Sequence, residues 1–214
     1  MAGNSSSSIS SRKQPKQARS TDLVAAILEA AVQVLAKDGA RRFTAARVAE
    51  KAGVSVGSLY QYFPNKAAIL FRLQSDEWRQ TNALLRGILE DGTKPPLDRL
   101  RGLVHAFIRS ECEEAAIRGA LDDAAPLYRD APEARAAKES GKGIIQAFMQ
   151  EALPKASDAT RTLAGDLIKM TLGTVGKQFS ESPRTAAEIE AHADAMADMF
   201  CAYLGRLGDG REQP

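Results

Sequence analysis

Cysteine is scarce: Cys112 and Cys201 are the only two in 214 residues. That is too few for a disulfide framework, and their separation admits no CxxC metal or redox motif, so both are expected as small apolar residues. Histidine is scarcer in chemistry than in number, because His105 and His192 lie far apart and no HExxH is present. No GxSxG occurs, and Gly141-Lys142-Gly143 lacks both the upstream glycine and the Ser/Thr of a phosphate loop. These absences leave no recognisable catalytic set, no metal ligands and no cofactor motif. No apolar run approaches the roughly 20 residues of a membrane helix, so no membrane partner is expected. The first twenty residues lack an apolar h-region and do not form a secretory signal, which argues for the cytoplasm.

What is present is ordinary for a globular chain: 44% hydrophobic and 26% charged residues. The net charge of +2 hides an asymmetry. Residues 1 to 64 carry nine Lys/Arg against four Asp/Glu, and the rest carries twenty against twenty-three. A basic end on a mildly acidic body suits one face for a polyanion, since neutralised phosphates release counterions. A solvated surface would show the same bias.

The most informative stretch is Phe43 to Lys66, FTAARVAEKAGVSVGSLYQYFPNK. Thr44 caps a helix over Ala45 to Ala52, with Phe43 and Val48 as its hydrophobic staple. Ser55 caps a second over Val56 to Phe63, with Val54 and Leu59 as staple, and Pro64 ends it. Gly53 between them suits the left-handed conformation of a helix C-terminus. A small Ala49, the turn glycine and an apolar Leu59 at these separations predict a helix-turn-helix whose second helix can enter a major groove.

The continuation Leu59-Tyr60-Gln61-Tyr62-Phe63-Pro64-Asn65-Lys66, then Ala67-Ala68-Ile69-Leu70, resembles the LYxYFxxKxxL signature that closes the DNA-binding domain of TetR/AcrR transcriptional regulators. The resemblance covers about Ser20 to Leu70. It implies that Val56, Gly57, Ser58, Tyr60 and Gln61 form the reading surface, with Ser55 at the head of that helix. Their chemistry is modest: Val56 offers a methyl contact to thymine, Ser58 a hydroxyl, Gln61 a pair to adenine, and Gly57 close backbone approach. No arginine stands there for guanine, so DNA shape is expected to share the specificity. The family pattern gives Thr44, Tyr62 and Lys66 to phosphates, and Arg47 adds a nearby guanidinium. Ala45 and Ala46 stand where some members place polar DNA contacts.

No strand pattern is visible, so the fold class is all-α. Residues 1–19 are expected as a disordered basic arm, in which Arg12, Lys13, Lys16 and Arg19 surround an isolated Ile9. Residues 20–65 form the helix-turn-helix domain, opened by a helix over Thr21 to Lys37 that Gly39 closes. Residues 66–207 form a larger helical domain, and 208–214 a C-terminal tail. Asn65 caps a fourth helix of about 26 residues, roughly 39 Å long at 1.5 Å per residue. Helices follow from Leu97 to Cys112, around Ile117 to Leu127, from Ile144 to Leu153, from Asp158 to Phe179 and from Thr185 to Leu207. In the penultimate one Leu163, Leu167, Met170, Thr171, Thr174 and Val175 read as the apolar stripe. Gly165, Gly173 and Gly176 hint at close backbone approach, at about 1 kcal/mol each relative to alanine.

The resemblance further implies a homodimer through the last two helices, a palindromic double-stranded operator, and a pocket for a small molecule that releases the DNA. Candidate pocket residues are Phe71, Trp78, His105, Phe107, Tyr128, Phe148, Met149, Met170, Thr171 and Thr174, and their character points to a hydrophobic or aromatic effector. The competing readings are an enzyme on an all-α scaffold and a non-specific DNA-binding protein. The first has no catalytic set, and the second has too slight and too local a basic charge.

Overall fold

Where sequence periodicity called for helices, the computed structural model has them. It describes Ile9, residues 18–139 and residues 142–209. In order these are α1 (Ala18–Arg42), α2 (Ala45–Lys51), α3 (Val56–Tyr62), α4 (Lys66–Leu89), α5 (Pro96–Glu113), α6 (Ala115–Ala124), a 3-10 turn (Ala125–Leu127), α7 (Pro132–Glu139), α8 (Lys142–Ala152), α9 (Asp158–Ser180) and α10 (Ala186–Gly208). No strand occurs among the described residues. Gly39 does interrupt the first helix, at φ 71°, but a further turn follows it before α2. The helix α7 was not anticipated: its sequence PEARAAKE buries only Ala134 among its described side chains, so no apolar stripe announces it.

The chain divides into two compact units, one of residues 1–79 and 116–139, the other of 80–115 and 140–214. The first takes in more than the 20–65 expected of a helix-turn-helix domain. Its apolar cluster joins Ile27, Leu35, Phe43, Val48, Leu59 and Phe63 to Ile69, Leu70 and Leu73 of α4, and to Leu121, Ala124, Tyr128 and Ala134. Ile9, expected in a disordered arm, is only 4% exposed and belongs to the same cluster. The basic residues Arg12, Lys13 and Lys16 lie outside the described residues.

In the second unit α5 packs against α8, α9 and α10. Its core runs through Leu100, Leu103, Val104 and Ile108 of α5, Phe148 and Met149 of α8, Ile168 and Leu172 of α9, and Met196 and Phe200 of α10. Arg99 is buried here at 2% exposed; its Nη1 donates to the Leu89 carbonyl at 2.5 Å and its Nη2 to Glu151. It thereby caps the last carbonyl of α4. Along another face of α5, Arg101, His105 and Arg109 meet Asp198, Asp194 and Glu190 of the antiparallel α10. The two His105 ring nitrogens stand 3.0 Å from Glu190 and Asp194, and Arg109 lies 2.7 Å from Glu190. Arg109 and His105 together hold the Glu190 carboxyl below its usual range.

Candidate nucleic-acid interface

Local capping builds the α2–turn–α3 unit. The Thr44 hydroxyl oxygen accepts the Arg47 N–H at 3.3 Å, one of the orphan donors of α2. At the other end the Gly53 N–H reaches the Glu50 carbonyl at 3.1 Å and the Val54 N–H the Ala49 carbonyl at 3.0 Å. This pair of bonds is a Schellman motif, which requires the left-handed residue that Gly53 supplies at φ 67°. Ser55 then accepts the Ser58 N–H at 3.0 Å and opens α3. Leu59 and Phe63 are fully buried, so α3 is pinned along one side and presents the other. Asn65 accepts the Ala68 N–H at 2.8 Å and starts α4 as expected.

The presented side carries Val56 (39% exposed), Gly57, Tyr60 (41%) and Gln61, all open to solvent. Ser58 is half-buried, and its hydroxyl lies 2.8 Å from that of Ser55, so it serves the cap as well as the surface. Tyr62 is half-buried against the apolar cluster, whereas Thr44 and Lys66 are exposed. Arg47 is already engaged: its Nη1 lies 2.7 Å from Asp38 at the end of α1. Sequence reading missed this pair because its members are nine positions apart across the Gly39 break.

The residues expected for an effector pocket divide between the two units. Phe71, Trp78 and Tyr128 lie in the first unit, where the Phe71 and Tyr128 rings are 6.0 Å apart and tilted by 46°. Tyr128 is buried, and that burial pushes its phenol well above the ordinary tyrosine range. The other seven lie in the second unit. Phe148 and Met149 are core, with the Arg99 guanidinium 5.7 Å from the Phe148 ring centroid. Phe107 and Thr171 are half-buried, and His105 sits in the ionic ladder. Met170 and Thr174 are exposed and line a surface groove of about 950 Å³ with Asp166, Lys169, Gly173, Lys177 and Gln178 of α9 and Glu181 just after it. Of the apolar stripe read from the sequence of α9, Leu163, Leu167, Met170 and Thr174 are exposed, Thr171 is half-buried and Val175 packs against the core. The buried face is Ala164, Gly165, Ile168, Leu172 and Gly176.

Comparison with known proteins settles the family. Residues 27–73 match the model of bacterial regulatory proteins of the tetR family, and residues 95–207, more than half of the chain, match the tetracyclin repressor-like C-terminal domain. The chain belongs to the TetR family. The HTH-type transcriptional repressor KstR of Rhodococcus jostii is 29% identical over 122 residues, 57% of this chain and 56% of that protein. The chain thus spans just over half of that TetR-family relative's length. Among solved structures, a TetR-family regulator from Mesorhizobium loti superposes with a TM-score of 0.66 at 18% identity, covering 87% of this chain and 98% of the other. FadR of Bacillus subtilis, solved with stearoyl-CoA, gives 0.64 at 17% identity, covering 84% and 98%. At such identities these two structures show the TetR fold alone.

Proposed function

We propose that the chain is a sequence-specific DNA-binding transcriptional regulator. In this reading it acts as a cytoplasmic homodimer through α9 and α10, represses from a palindromic operator and is released by a small molecule. The observation that carries the reading is the doubly capped α2–turn–α3 unit. It buries Leu59 and Phe63 while holding Val56, Gly57, Tyr60 and Gln61 out to solvent, within a TetR-family match. Thr44, Tyr62 and Lys66 would position the unit on phosphates, and the α3 side chains would read base edges. Arg47 is a lesser contributor, because Asp38 competes for its guanidinium.

The effector reading is supported by relatives: KstR is named a repressor, and FadR was solved with a long-chain acyl-CoA. A hydrophobic or aromatic effector suits Phe107, Phe148 and Met149, whose side chains pack in or against the apolar core of the second unit. Release then needs only different affinities of the effector for two conformations, typically about 1 to 3 kcal/mol of coupling.

The test is a fluorescence-anisotropy titration of the protein against DNA from immediately upstream of its own gene, at several salt concentrations and with random competitor. Saturable binding that survives competitor, at two subunits per site, supports the reading. If neither that DNA nor any sequence selected from a random pool binds better than competitor, specific recognition is refuted. Hydrophobic ligands are then screened for release of the bound DNA.

A further inference from the structure

Arg99 is the one buried cation among the described residues, at 2% exposed. Its Nη1 donates to the Leu89 carbonyl and its Nη2 to Glu151, while Nε is buried with no hydrogen-bond partner. Capping the end of α4 uses Nη1 alone, so it accounts for neither of the other two nitrogens. A buried N–H ordinarily has an acceptor, and one on a charged group is the costliest to leave without. Among the described residues Ser75 Oγ and His192 Nε2 also lack partners, but both of those residues are half-buried. Arg99 is enclosed and permanently charged.

Its carboxylate partner is of the opposite kind. The Glu151 side chain, at the end of α8, is 54% exposed where that of Arg99 is 2% exposed. Glu151 regains water on leaving, whereas the guanidinium has neither water to turn to nor a proton it can lose. Glu151 is therefore an exchangeable counter-ion over a fixed cation. The surroundings decide what replaces it. The guanidinium carbon lies 5.7 Å from the Phe148 ring centroid, and Phe148 shares its apolar core with Leu89, Leu100 and Leu103. All of these residues belong to the second unit. A multiply charged anion would bring uncompensated charge into that core. A single carboxylate on an apolar body matches one cation and leaves the rest of the ligand to apolar side chains.

We propose that Arg99 is a head-group receptor in the second unit: a carboxylate carried on an apolar body displaces Glu151 and takes Nε together with an Nη. That is the paired geometry in which a guanidinium holds a carboxylate most firmly, and the enclosed site strengthens it further. The proposal rests on the effector reading above and names the charged end of the effector. Nη1 stays on Leu89, so the end of α4 remains capped when the ligand is bound. The ring of Phe148, beside the guanidinium, meets the first apolar carbons of the ligand.

Isothermal titration calorimetry on the full chain tests this, with decanoate and naphthoate as acids and decanol and naphthalenemethanol as their uncharged counterparts. At least one acid is expected to bind once per protomer and about tenfold or more tighter than its alcohol, the size of a lost charge-assisted hydrogen bond. Glu151→Gln removes the competing charge and keeps an acceptor oxygen for Nη2. It is expected to tighten binding of the acid severalfold and to leave the alcohol unchanged. Arg99→Lys keeps the charge without the paired donors and is expected to bring the acid down to the affinity of its alcohol. If that variant does not fold, Glu151→Gln decides. Acids bound no better than alcohols, an acid unaffected by Glu151→Gln, or no binding of any probe overturns the receptor. Adding the same probes to the operator complex separates the two readings. Alcohols that release DNA as well as the acids do overturn the receptor and leave the effector reading intact. An acid that binds through Arg99 without releasing DNA supports the receptor and counts against its role as the effector switch.

Discussion

The Tyr128 hydroxyl stands 3.1 Å from the Gln74 side-chain carbonyl and 3.0 Å from the Leu121 main-chain carbonyl, fifty-four residues from the first of these. Gln74 in turn donates to Glu77 at 3.0 Å, and Arg118 lies 3.2 Å from Glu77 with both side chains largely buried. This network and the surrounding apolar cluster make residues 116–139 part of the first unit. A loss of the hydroxyl should therefore be felt in the folding of the DNA-reading unit. Tyr128→Phe removes the one O–H proton that the Gln74 and Leu121 oxygens share and should cost about 1 to 3 kcal/mol, read by urea unfolding. A variant as stable as the wild type would mean that the phenol contributes only by packing.

On DNA, Lys66→Ala and Tyr62→Ala should weaken binding to every sequence alike. Lys66→Ala should also flatten the dependence of log K on log salt by about one unit of slope. Substitution of Val56, which is exposed and in no hydrogen bond, should change sequence preference instead, by about 1 to 3 kcal/mol at the base it faces. Ser58 is a mixed case, because its hydroxyl lies within reach of the Ser55 cap. Anisotropy titrations on operator and random DNA separate these effects, and four equal losses on both DNAs would refute the division.

The Arg47–Asp38 pair gives a gain-of-binding test. Arg47 is 40% exposed and its partner 21%, so the pair is worth no more than about 1 kcal/mol to folding. Asp38→Asn should thus leave stability nearly unchanged, release the guanidinium and tighten binding to random DNA severalfold at low salt. Unchanged affinity would place Arg47 away from the phosphates.

The two inward glycines of α9 predict a stability effect opposite to their helix propensity. Alanine is the better helix former, yet at Gly165 or Gly176 its Cβ would stand 3.1 Å from an isoleucine side chain. Gly176→Ala is the sharper case, since it meets Ile108 and Phe107 together, and it should destabilise by about 1 to 3 kcal/mol. Thermal unfolding decides, and a raised melting temperature would show that α5 and α9 yield easily.

Local features were legible in the sequence and distant ones were not. The bonds at Thr44, Ser55, Asn65 and the Gly53 turn span three to five positions, so cap and turn grammar alone located α2, α3 and the start of α4. Thr185 and Glu188 form a reciprocal capping box that opens α10, a local signal that the sequence reading did not use. The assignment of residues 116–139 to the first unit depends on Tyr128 finding Gln74, which no local pattern encodes. For α9 the sequence named a stripe without saying which side meets the core: Leu163, Leu167 and Met170 make a heavier stripe than Ala164, Gly165 and Ile168, yet the lighter stripe is the one buried. Small residues win that position because α5 and α8 come close there.

The last prediction concerns acid. His192 stacks on Phe179, with ring centroids 3.9 Å apart and planes 4° from parallel, and the Arg184 guanidinium lies 4.6 Å from the same Phe179 ring. Burial first, and then the Arg184 charge, hold the imidazole below the ordinary histidine range. In the unfolded chain the ring titrates near about pH 6.5, so between the two values the unfolded state binds more protons than the folded one. Stability contributed by the neutral ring is thus present above the unfolded value and declines as pH falls through it toward the folded value. Nε2 is buried with no hydrogen-bond partner among the described residues, so a proton added there would meet a nearby cation and no acceptor from those residues. His192→Phe keeps the stacked ring and removes the titration. Urea unfolding at pH 7 and pH 5 should show a smaller loss of stability on acidification for the variant than for the wild type. Equal losses would mean that acid acts through the carboxylates of the α5–α10 ladder instead, which Glu190→Gln would then expose.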